Sequence, residues 1–131
     1  MSRQKRAHRV LLAETNGLLR QTVAITARSA GIADVQEASS LSATRRQLME
    51  QEFDGLILRL DDERAMLTLV EAVRAGKAFT RRNVGIALLA ERCDHALASE
   101  IVTLGIRHLL LPPFRAKAVL STMDALLTQP A

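Results

Sequence analysis

The chain has 131 residues, 48% of them apolar, which is enough for one domain whose core needs neither a disulfide nor a metal to form. Its lone cysteine, Cys93, closes no bridge within the chain, and no apolar run approaches the roughly 20 residues that cross a bilayer, so a cytoplasmic protein without membrane attachment is expected. The formal charge of +4 favours polyanions, but the basic residues are scattered and Trp and Tyr are absent, which argues against a nucleic-acid surface built on base stacking.

Residues 1–8 read as a short basic arm, followed by too few apolar residues to be a secretory signal, and the domain is expected over 9–128. The run Arg9 to Ala13 reads as a first strand. Asn16 is an N-cap candidate before a helix that carries Leu19, Val23 and Ala27 on one face and stops near Gly31. Asp34 to Glu37 is a more polar second strand, suited to a sheet edge. Ser39, Ser40 and Ser42 offer caps for a second helix, with a phosphorylation site as the other reading.

Gly55 to Arg59 and Gly85 to Leu89 are nearly continuous apolar runs, as expected for strands covered on both faces. Between them Met66, Val70 and Val73 follow helical spacing up to Gly76. Asp94 caps a fourth helix with Leu97, Ile101 and Leu104, which ends at Gly105. Arg107 to Leu111 is the fifth strand, and Leu120, Met123 and Leu127 mark the last helix. Five strand-helix units in this order predict an α/β fold, a doubly wound parallel sheet with helices on both faces.

The histidines His8, His95 and His108 lack metal-ligand spacing, so no metal or other cofactor is expected. Cys93 has no general base near it in sequence and reads as an inert thiol. The pairs Arg45-Arg46 and Arg81-Arg82 read as solvated charge; the alternative is a bidentate grip on the phosphates of a cyclic dinucleotide such as cyclic di-GMP.

Four segments together carry a resemblance. They are Arg9 to Glu14, Ile32 to Ala38, Phe53 to Leu58, and Gly105 through His108 and Leu109 to Pro112-Pro113-Phe114. In this order the chain resembles the receiver domains of two-component response regulators over nearly its whole length. The resemblance implies a CheY-like sheet of order 2-1-3-4-5 and a cis bond between Pro112 and Pro113. It also implies a place for phosphoryl transfer: carboxylates after the first strand and an aspartate ending the third hold Mg²⁺, while a Lys and a Ser or Thr bind the phosphoryl oxygens.

Carried over residue by residue, the acidic pair falls on Glu14 and Thr15, the acceptor on Arg59, the hydroxyl residue on Leu89 and the Lys on Pro112. Only Glu14 keeps its character. A guanidinium is not a phosphoryl acceptor and its charge opposes Mg²⁺. Arg59 either pairs with Glu14 or points into water. A two-residue slip would make Asp61 the acceptor, but Asp61 would stand roughly 7 Å further along the chain.

The expectation is therefore a stand-alone pseudo-receiver without enzymatic activity, acting through a protein partner: a histidine kinase, another regulator, or itself as a homodimer. The ligand sensor and the Asp61 phosphoreceiver are the alternatives. The partner surface is expected around Leu109, His108 and Ile101, on the fourth helix, fifth strand and fifth helix that receivers commonly pair through.

Overall fold

The computed structural model describes residues 7–128, so most of the basic arm expected at 1–8 lies outside the described residues. Five parallel strands, β1 (Arg9–Ala13), β2 (Asp34–Ala38), β3 (Gly55–Arg59), β4 (Gly85–Leu89) and β5 (His108–Leu110), form one sheet in the order β2-β1-β3-β4-β5. The helices α1 (Gly17–Ser29), α2 (Leu41–Glu50), α3 (Glu63–Arg74), α4 (His95–Thr103) and α5 (Ala116–Thr128) connect and follow them.

Side chains alternate across a strand, and that alternation divides the core in two. Leu11, Leu56, Leu58, Ile86 and Leu88 face α2, α3 and α4, where they meet Leu48, Leu67, Val70 and Leu97. Val10, Leu12, Ile57, Ala87 and Leu89 face the other way, onto Val23, Ala27, Val119 and Met123 of α1 and α5. The central strands are apolar on both faces because both faces are covered.

Two strand boundaries differ from the sequence expectation. β2 runs on to Ala38, which pairs with Ala13 and is buried. β5 is shorter than Arg107 to Leu111: only His108 to Leu110 pair with β4, and Leu111 is exposed where the chain turns towards the two prolines. The Pro112–Pro113 bond is cis.

The helix ends follow local chemistry. Asn16, Ser40, Asp62 and Asp94 each sit in an extended conformation and accept a backbone N–H three residues on, which satisfies a donor that the first turn leaves open. Gly31, Gly76 and Gly105 follow the ends of α1, α3 and α4 at φ of 70°, 77° and 64°, the left-handed region that a side chain would strain.

Candidate functional site

In a doubly wound sheet the connections reverse direction between β1 and β3, and the loops at the carboxyl ends of those strands part to leave a crevice. Glu14 is the first residue beyond β1 and Arg59 is the last of β3. Ala13 pairs with Leu58 in register, so these two side chains emerge next to each other. Both continue the parity of Leu12 and Ile57 and turn towards the α1 and α5 side.

The Glu14 side chain is 0% exposed. Its Oε1 accepts a hydrogen bond from Arg59 Nη1 at 2.9 Å, and its Oε2 accepts from the Asn16 backbone N–H at 2.8 Å. Arg59 is itself 16% exposed. Its Nη2 donates to Glu91 Oε1 at 2.6 Å, and its Nε lies 3.4 Å from Asp61 Oδ1. The guanidinium also lies over the Phe114 ring, 4.4 Å from its centroid. One cation thus gathers a carboxylate after β1, one after β3 and one after β4, and stacks on an aromatic ring after β5.

Thr15 takes part indirectly, donating from Oγ1 to Asp61 Oδ2 at 2.6 Å. Leu89 is fully buried in the α1 and α5 half of the core, paired in register with Arg59. Pro112 is exposed in the loop after β5. Of the five positions carried over from the resemblance, the structure brings Glu14, Thr15 and Arg59 into one network, with Leu89 beneath it and Pro112 at its edge. The choice left open for Arg59 resolves as a pair with Glu14.

Sequence reasoning missed Glu91 and Phe114 as members, and weighed Asp61 only as a substitute acceptor. All three stand within a few residues of a strand's carboxyl end. That shared position was a signal available in the sequence.

Mg²⁺ does not fit this arrangement. A fixed guanidinium occupies the point on which the carboxylates converge, and it would repel a second cation there. Among the described residues no group of three His, Cys, Asp or Glu side chains is placed to hold a metal ion. Beside the network, a crevice of about 230 Å³ opens between Thr15, Ser40, Leu41, Asp61 and Met66.

The other residues singled out in the sequence lie elsewhere. Arg81 donates to Glu52 and to the Phe53 carbonyl near the amino end of β3, whereas Arg45 and Arg46 are exposed on α2. Cys93 is exposed in the loop before α4. On the fifth-strand face, Ile101 and Leu109 pack partly against the core, and the Nε2 of His108 is buried without a hydrogen-bond partner. The exposed apolar residues near them are Val102, 81% exposed, and Leu111. Leu109 is half-buried, packing partly against the same cluster as Leu88 and Leu97.

No protein-family model matches the chain, and no curated protein matches its sequence. Solved structures do match it by shape. The non-phosphorylated HemR receiver domain from Leptospira biflexa superposes with a TM-score of 0.80 at 18% identity, covering 95% of this chain and 97% of that one. The chemotaxis response regulator CheY4 of Vibrio cholerae gives 0.77 at 22% identity, covering 93% of this chain and 100% of the other. A response regulator from Thermotoga maritima gives 0.76 at 17% identity, with coverage of 94% and 99%. The agreement in strand order, helix placement and extent gives this chain the fold of response regulator receiver domains.

Proposed function

We propose that residues 9–128 form a receiver-like signalling domain that takes up no phosphate and carries no enzymatic activity, acting in the cytoplasm through a protein partner. The partner is a histidine kinase, another regulator or a second copy of the chain. One observation carries this reading: the Arg59 guanidinium stands between Glu14, Asp61 and Glu91, where the resemblance would place acceptor and metal. Leu89 and Pro112 bring no polar side chain to bind phosphoryl oxygens.

With the chemistry lost, the surface remains. We assign the partner contact to the α4, β5 and α5 face, around Ile101, His108 and Leu109, with Val102 and Leu111 as its exposed apolar groups. β5 supports this placement, since it is a sheet edge bonded on one side only, to β4.

The test is incubation of the full chain with acetyl phosphate and Mg²⁺, followed by intact mass measurement. The expected mass is that of the unmodified chain. A stoichiometric, base-labile phosphate that disappears on Asp61→Asn overturns the reading, because Asp61 already lies in the network and would then be the acceptor.

A further inference from the structure

On the opposite side of the molecule from α1 and α5, α2 and α3 run side by side without closing on each other. Leu41, Arg45 and Met49 recur every four residues along α2, so they form one ridge. Facing them on α3 are Ala65, Leu69 and Ala72, two of which are too small to fill the space. The result is an open groove of about 370 Å³. Its floor is apolar, with Leu69 buried and Leu41 exposed at one end.

Arg45 is the one charged residue lining this groove. Among the described residues no ion pair or hydrogen bond engages its side chain, and the same holds for Arg46 beside it. Neither acidic side chain of α3, Glu63 or Glu71, forms an ion pair with it among the described residues. Glu71 is drawn to Arg64, which reaches away to Glu100 on α4. An apolar floor with a free guanidinium at its rim is complementary to an apolar ridge flanked by a carboxylate.

We infer that the groove between α2 and α3 is the docking site for an acidic amphipathic helix of a partner protein. The ridge from Leu41 to Met49 spans about 12 Å at 1.5 Å per residue, so it matches about two turns of the incoming helix. Two or three apolar side chains at i, i+4 and i+7 fill the space above Ala65 and Ala72, and an Asp or Glu on the flank meets Arg45. This inference rests on the reading of the chain as a partner-binding domain, but it uses a surface separate from Leu109 and Val102.

The test is selection of a displayed library of 16-residue peptides on the immobilised full chain, with affinities of the enriched peptides measured by fluorescence anisotropy. Enrichment of acidic sequences with helical apolar spacing is expected. Their binding should weaken at least tenfold on Arg45→Glu, and equally on Thr68→Trp, which fills the groove from an exposed position. Val102→Glu should leave it unchanged, so that loss of the α4 face and loss of the groove are read separately. Enrichment of basic or non-helical peptides, or binding indifferent to Arg45→Glu, overturns the proposal. So does saturable binding of cyclic di-GMP that is lost on Arg45→Glu, because Arg45 would then serve a nucleotide.

Discussion

Arg59 is the residue on which the site turns. Its cation compensates a carboxylate, Glu14, that is shielded from water, and the pair is supported by the Asn16 N–H and the Phe114 ring. Removing one member of a buried pair leaves the other charge without compensation, at a cost of about 3–5 kcal/mol. Arg59→Ala should therefore lower the unfolding free energy measured by urea titration by an amount in that range. The double change Arg59→Ala with Glu14→Gln should cost less than the sum of the single changes, with a coupling of about 1–3 kcal/mol. Additive losses would show that the 2.9 Å contact contributes no coupling. Lysine should restore only part of the loss, since a single ammonium cannot reach Glu14 and Glu91 while stacking on Phe114.

At the scale of the element, α1 to α4 are each fixed at the amino end by a particular side chain. Asp62 and Asp94 accept the N–H groups of Ala65 and Leu97 at 3.1 and 2.8 Å. Replacing either by Ala should cost about 1 kcal/mol in chemical denaturation, the usual worth of an N-cap. Gly105 has φ of 64° and open space around an added Cβ, so Gly105→Ala should cost about 1–2 kcal/mol through backbone strain alone. Arg74 fastens the other end of α3. Its guanidinium donates to the carbonyls of Arg82, Val84 and Leu104 at 2.7 Å, tying α3 to the start of β4 and the end of α4. Burial, with a smaller contribution from Arg107, lowers its pKa below the ordinary arginine value.

At the scale of the whole molecule, the sheet is held by two separate apolar layers, and the surface keeps a few apolar groups uncovered. Ile57 is fully buried in the α1 and α5 layer, so Ile57→Ala should destabilise by about 2–5 kcal/mol. Leu18 is 79% exposed on α1, and Leu18→Ala should stay within about 0.5 kcal/mol of the parent. Val102 is the better probe of the α4 face than Leu109, because Leu109 also belongs to the core packing. If that face pairs two copies, static light scattering should report a dimer that becomes a folded monomer on Val102→Glu, with a Tm that no longer rises with protein concentration. A dimer that persists through the change would remove the face from consideration.

The chain order of apolar runs, the helical spacing from Leu19 to Ala27 and from Met66 to Val73, and the caps at Asn16 and Asp94 were all legible in the sequence, because local chemistry decides them. So was the end of β3 at Arg59, which places an arginine at that point of the sheet's carboxyl edge. What Arg59 does there was legible only as a choice between pairing with Glu14 and pointing into water, and its other partners were not. Its partners Glu14, Asp61, Glu91 and Phe114 are spread across 101 positions of the chain, from Glu14 to Phe114 inclusive, and only the closing of the sheet brings their loops to one guanidinium. The coverage of Leu109 was equally undecided, since a strand residue at a sheet edge is buried or exposed according to the helices that flank it. Periodicity is a property of neighbours in sequence, whereas charge pairing and burial are settled by distances between segments that the chain joins only when it folds.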